Sequence, residues 1–224
     1  MKMDYAFTQL PTVRTDSERP SQALIDAAAK CQPATLHEAA GKIGALPSAI
    51  KPMTPGLAIC GPAFTVHGPG IDNLWLHRAL VLAKPGDVLV AYVSGAYEAG
   101  YWGEVMSTMA KERGLAGLLI DGCVRDGSLL GHIGLPVYAR GLCLRGTGKD
   151  FGAIGWINAP VLIGDVTVHA GDLIAGDGDG VVVIPRERIA AAIEGAHERE
   201  AQEAEILARL RQGEASLDIY GWNR

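Results

Sequence analysis

The chain has 224 residues, 48% apolar and 20% charged, which is enough for a sizeable core and too apolar for a disordered chain. Its formal charge is −5, from 20 basic and 25 acidic side chains with no Lys/Arg cluster, so nucleic-acid binding is not expected. No run approaches the roughly 18–20 apolar residues that cross a bilayer, and the charged N-terminus reads as no secretory signal.

Residues 1–20 read as a loosely structured arm punctuated by Pro11 and Pro20. The stretch 21–41 reads as a helix, a break at Pro33 and a second helix ending at Gly41, with Thr35 as cap and Glu38 as its capping-box partner. "LAICGPAFTVH" is a strand candidate, and "NLWLHRALVLA" (73–83) a helix that stops before the turn "KPGD". "DVLVAYV" (87–93) is a continuous β-prone run, and the glycine-rich "SGAYEAG" follows it. A helix from about Trp102 to Arg113 closes at Gly114. "AGLLID" (116–121) is a second buried strand, "GSLLGHIG" a short helix and "LPVYAR" (135–140) a third strand. Strand–helix–strand–helix–strand with short connections implies a parallel βαβαβ unit. From 159 the pattern changes to short strands separated by Gly-Asp turns, and a charged helix over 186–213 follows. With no low-complexity linker, residues 1–224 read as one domain. Four cysteines, at 31, 60, 123 and 143, lack a Cys-x-x-Cys spacing and read as buried thiols of a reducing, cytoplasmic compartment.

In a βαβ unit the C-terminal strand ends and the following helix N-termini share one edge, where ligands of open α/β layers bind. Glu104 falls in the first turn of the helix after strand 87–93, and Arg125 and Asp126 follow strand 116–121. Lys149, after strand 135–140, reaches the same rim. Arg125 can grip a carboxylate with two parallel bonds, and the helix start at 103–106 adds backbone N–H groups and a partial positive charge. Asp126 and Glu104 are hard oxygen donors that suit Mg²⁺ or Mn²⁺. The chemistry implied is binding of a small 2-oxo acid, with charge drawn toward its carbonyl as an enolate forms.

The chain resembles the 4-hydroxy-4-methyl-2-oxoglutarate/4-carboxy-4-hydroxy-2-oxoadipate aldolases, class II pyruvate aldolases in the superfamily of the ribonuclease E activity regulators. The resemblance runs from about Thr35 to Trp222, through "ATLHEAAG", "DNLWLHRAL", "KPGDVLVA", "GYWGEVMSTMAKERGLAGLLIDGCVRD", "GLPVYARG", "GTGKD" and "GDGDGVVVIP". Its most specific element is an acidic residue, a twenty-residue gap and an Arg-Asp pair, met by Glu104, Arg125 and Asp126. Many members have Asp where this chain has Glu104.

The resemblance implies that Asp126 binds the metal directly, Glu104 binds it through water, and Arg125 contacts the pyruvyl oxygen. It also implies that the backbone of Gly103, Glu104, Val105 and Met106 seats the carboxylate. Lys149 then faces the distal carboxylates, His77 lines the pocket, and Glu200 or Glu198 comes from a neighbouring subunit's C-terminal helix. The implied fold is an α/β, α-β-β-α sandwich around a small β-barrel, like a swivelling domain, in homotrimers or homohexamers with the C-terminal helix at an interface. An alternative within the superfamily is a non-enzymatic ribonuclease E regulator; another is an enzyme that is mainly an oxaloacetate decarboxylase.

Taken singly, these residues have blander readings. Glu104 is a helix-dipole carboxylate, Arg125–Asp126 a surface ion pair with a cap, and Lys149 a solvated lysine. Their joint placement on one rim is what tilts the reading. "RGTGKD" is no phosphate loop, because Cys143 stands where its first glycine is needed, and "GDGDG" reads as a tight turn rather than a calcium loop.

Overall fold

This computed structural model describes residues 5–223, so the first four residues of the expected N-terminal arm lie outside it, as does Arg224. In chain order, a 3-10 turn (Ala6–Gln9) is followed by α1 (Gln22–Ala28), α2 (Pro33–Ala39), β1 (Lys51–Pro52), β2 (Ile59–His67), α3 (Leu74–Leu82) and β3 (Val88–Tyr92). Next come α4 (Glu104–Glu112), β4 (Gly117–Asp121), β5 (Cys123–Val124), α5 (Gly127–Ile133), β6 (Val137–Ala139) and β7 (Gly141–Leu142). The β-rich part holds β8 (Trp156–Ile157), β9 (Val161–Ile163), β10 (Val166–Val168), β11 (Leu173–Gly176) and β12 (Val181–Ile184). The chain closes with α6 (Ile189–Arg211) and α7 (Ser216–Ile219).

The two-residue period of the strands builds the layers. Val88 and Val90 of β3 pack into one apolar cluster, while Leu89 and Ala91 pack into another. The main sheet runs β1-β6-β4-β3-β2-β11-β12, with β8 also paired to β2. It curls into a half-barrel. Its inner side brings Val88, Val90, Leu119 and Tyr138 together with Ile163, Ile174, Val181 and Val183. Outside, residues of α3, α4 and α5 join Leu89, Ala91, Leu118 and Ile120 in a second cluster. Residues of α1, α2 and α6 join Leu173, Ala175, Val182 and Ile184 in a third. The order helix, strand, strand, helix matches the expected sandwich. Strands buried on both sides are apolar throughout, which is why "VLVAY" and "GLLID" show no alternation of polarity.

The parallel unit is longer by one strand and one helix than the βαβαβ expected. β2 pairs in parallel with β3, β3 with β4, and β4 with β6, so α3 is also a crossover helix. Four strand ends, rather than three, therefore face the same edge.

Three local expectations differ from the structure. α2 starts at Pro33, where a missing N–H costs no helical bond, so Thr35 is buried inside the helix and forms no capping box. Glu38 pairs instead with Arg199 of α6. α4 begins at Glu104, two residues after the expected start, because Gly103 is extended and Trp102 is buried, donating its Nε1–H to Ser107 Oγ at 2.7 Å. The arm, expected to be loose, is fastened along residues 5–19. Val13 bridges Ile157, Asn158 Nδ2 donates to Arg14 O at 2.8 Å, and Arg19 pairs with Asp87.

Asp87 is almost fully buried, and burial pushes its carboxyl pKa up, while the Lys84 N–H at 2.7 Å and Arg19 pull it down. Arg19→Ala leaves this carboxylate without its cation and is expected to cost about 2–3 kcal/mol of stability. Urea unfolding checks this, and an unchanged midpoint contradicts it.

Candidate active site

Each of the four parallel strands delivers polar groups to the edge beyond its C-terminal end. The loop after β2 leads through Asp72 and Asn73 into α3, which carries His77. The loop after β3 leads through Gly100–Gly103 to Glu104, and β4 leads through β5 to Arg125 and Asp126. The loop after β7 carries Thr147 and Lys149. These segments enclose a cavity of about 390 Å³. Every residue expected here from the chain's own rim lines it: Gly103, Glu104, Val105, Met106, Arg125, Asp126, Lys149 and His77. Asn73, Gly100, Tyr101, Gly146 and Thr147 line it too.

Asp126 has the most unusual backbone at the site. Its φ is +61°, in the left-handed region that a non-glycine residue enters at a cost of roughly 1–2 kcal/mol. That conformation turns the carboxylate away from its own helix, α5, which it leaves without a side-chain cap. Oδ2 instead accepts the Glu104 N–H at 3.0 Å, capping α4. Arg125 Nε lies 3.7 Å from the same oxygen, its side chain half exposed, and its backbone N–H is held by Trp102 O at 2.8 Å. Two glycines permit this approach. A β-carbon at Gly103 would overlap Asp126 Oδ2, and one at Gly100 would stand 2.9 Å from Arg125 Cβ. Gly100 was not legible as a site residue, since "SGAYEAG" reads as an ordinary flexible loop.

The N–H groups expected to seat a carboxylate are those of 103–106. Of the first-turn N–H groups, that of Glu104 is already taken by Asp126. Those of Gly103, Val105 and Met106 bond no other backbone group among the described residues.

Asn73 is a second residue missed in the sequence, where it reads simply as the first residue of the helix 73–83. It is 7% exposed, and its Nδ2 donates to Tyr101 O at 2.7 Å, which fixes the amide's orientation. Its Oδ1 then has no hydrogen-bond partner in the protein. A buried acceptor left so costs about 1–3 kcal/mol.

Lys149 Nζ touches only Gly148 O, at 3.5 Å, and takes part in no ion pair among the described residues. Burial holds His77 below the usual imidazole pKa, the Lys149 charge lowers it further, and Asp72 opposes both. Lys149→Met is therefore expected to raise the His77 titration midpoint, read by NMR, and a fall or no change contradicts this.

Asp126 Oδ1 accepts no protein hydrogen bond and Glu104 is exposed, so both can offer oxygen to a cation. Among the described residues, no cluster of three or more His, Cys, Asp or Glu could hold an ion. Two carboxylates completed by water fit Mg²⁺ or Mn²⁺, which retain waters, better than Zn²⁺. Glu200 and Glu198 lie on α6 and do not line this cavity; Glu200 instead sits 3.8 Å from His197. No residue of α6 beyond Ala196 is buried.

The profile of the RraA-like family, described as Aldolase/RraA, matches residues 21–183, a span holding every wall of the cavity. The chain belongs to this family. Within the Aldolase/RraA family, a Halalkalibacterium halodurans protein named "Putative 4-hydroxy-4-methyl-2-oxoglutarate aldolase" is 36% identical over 158 residues, covering 70% of this chain and 74% of its own. An uncharacterized protein from Pseudomonas syringae pv. tomato has a similar structure, with TM-score 0.76 and 26% identity over 89% of this chain and 97% of its own. Streptomyces coelicolor RraAS2, titled an unusual member of the RNase ES inhibitor RraA protein family, has TM-score 0.74 and 27% identity over 84% and 98%.

Proposed function

We propose that this family member is a divalent-metal-dependent pyruvate aldolase. Its substrates are 4-hydroxy-4-methyl-2-oxoglutarate, 4-carboxy-4-hydroxy-2-oxoadipate or both, cleaved to pyruvate plus pyruvate or oxaloacetate. The observation that carries the reading is the convergence of Glu104, Arg125, Asp126 and Lys149 on one cavity beside the start of α4. The aldolase name of the Halalkalibacterium relative supports it.

In this reading the Val105 and Met106 N–H groups and the α4 dipole seat the 2-oxo acid's carboxylate. Arg125 donates to the adjacent carbonyl oxygen and holds the charge that collects there. Glu104 orients a water that takes the 4-hydroxyl proton, the bond between C3 and C4 breaks, and water protonates the pyruvate enolate. Lys149 holds the far carboxylate. Asp126, and Glu104 through water, would hold a hard cation, which would supply further positive charge beside the carbonyl oxygen. A third carboxylate, Glu200 or Glu198, belongs in this reading to a neighbouring copy in a trimer or hexamer. Oxaloacetate decarboxylation is expected as a side reaction, because it passes through the same enolate.

The test is pyruvate release with Mg²⁺ or Mn²⁺, coupled to lactate dehydrogenase. No pyruvate from either hydroxy acid ends the aldolase reading. If that protein then bound ribonuclease E in a pull-down, it would fit the regulator role that the Streptomyces neighbour's title describes.

A further inference from the structure

We infer that Asp72 is the positioning residue for Lys149: its buried carboxylate ties the start of α3 to the loop that carries the lysine. The inference rests on the aldolase reading for what Lys149 binds, but the tie itself rests on geometry alone.

Asp72 is 5% exposed. A carboxylate so buried needs partners, and Asp72 takes part in no ion pair among the described residues. Its two oxygens accept backbone N–H groups instead. Oδ1 accepts Leu74 N–H at 2.8 Å, two residues on, a local Asx turn that leads into α3. Oδ2 accepts Asp150 N–H at 2.5 Å, 78 residues along the chain. A local turn explains the first bond but not the second.

The main chain around Lys149 is held on both sides. Gly148 donates to Ile71 O at 2.7 Å and accepts from Asn73 N–H at 3.4 Å, and Asp150 is held by Asp72. Lys149 thus sits between two anchored residues, with its ammonium in no ion pair among the described residues. The Gly148 bonds hold the residue before Lys149 without the Asp72 carboxylate, which holds the residue after it; the other anchors are more remote. Gly152 N–H bonds Asp150 Oδ1 within the loop, and Trp75 Nε1 holds Ala153 O at 3.0 Å four residues on. Glycines 146, 148 and 152 leave the loop little stiffness of its own. The electrostatics agree with the geometry, since His77 of α3 feels the charges of both Asp72 and Lys149. The Asp72 carboxylate, together with the Gly148 main-chain bonds, therefore fixes the separation between the α3 wall of the cavity and the lysine's main chain opposite. A fixed cation binds a distal carboxylate without the entropy loss of ordering its loop.

Asp72→Ser separates the two bonds, because serine still accepts Leu74 N–H and is too short to reach Asp150. Asp72→Asn, of equal size, offers only one acceptor for the two N–H groups and serves if the serine variant does not fold. Either variant is expected to raise KM for the hydroxy acid about tenfold with kcat within about twofold. In a Lys149→Ala background the same change is expected to raise KM less than about twofold, because its target is gone. An effect that persists in full there overturns the inference. Amide exchange of residues 144–155, followed by mass spectrometry, is expected to speed up at least about tenfold in the variant, and unchanged exchange also overturns it. Wild-type protein that releases no pyruvate ends the aldolase reading, and the tie is then decided by exchange alone.

Discussion

Arg125→Ala is expected to lower kcat/KM for pyruvate release at least about a hundredfold, roughly 2.7 kcal/mol of transition-state stabilisation. Stability should hardly change. The side chain is half exposed and its one carboxylate neighbour is 3.7 Å away, so the pair contributes little to folding. The unfolding free energy should move by less than about 0.5 kcal/mol. The loss should appear equally in oxaloacetate decarboxylation, because an arginine that stabilises the shared enolate acts on both reactions. Arg125→Lys keeps the charge but not the planar two-pronged donor, so it should recover only part of the rate. Steady-state assays on both substrates decide the matter. If the hydroxy-acid reaction loses less than about tenfold, Arg125 is no stabiliser of the enolate. If one reaction falls and the other does not, they do not share it.

The layers of this fold were legible because they follow from periodicity. "VLVAY" and "GLLID" must be covered on both sides, and the Gly-Asp turns mark the short strands after 159. The crossover rule then puts strand ends and helix starts on one edge, which is why the sequence alone groups Glu104, Arg125, Asp126 and Lys149. The rest depends on distances between segments remote in sequence. Nothing in "GPGIDNLWLH" says that Asp72 reaches residue 150 or that Asn73 Oδ1 ends without a partner. Gly100 looks like any loop glycine until Arg125 is packed against it. Thr35 failed as a cap because the preceding proline starts the helix two residues earlier, a local preference that outweighed the capping-box pattern.

Asp126 caps α4 and, in the proposed reading, also holds the cation; two substitutions separate these roles. Asp126→Asn can keep the Glu104 N–H bond, since its side-chain carbonyl still accepts and asparagine tolerates the left-handed backbone. It removes the negative charge. Asp126→Ala removes both the charge and the cap of α4, so it should cost about 1 kcal/mol more in unfolding free energy than the asparagine variant. Both should lose at least about a hundredfold in kcat/KM, as expected when a metal ligand is removed. Mn²⁺ affinity, followed by calorimetry, should weaken at least about tenfold in each. Gly103→Ala completes the test from the other side. Every functional group remains, but the new methyl claims the space of Asp126 Oδ2, so the carboxylate must move and the Mn²⁺ affinity and rate should fall together. If Asp126→Asn bound Mn²⁺ and turned over like the wild type, the carboxylate would be only a helix cap, and the strained backbone at 126 would serve the fold rather than a cation.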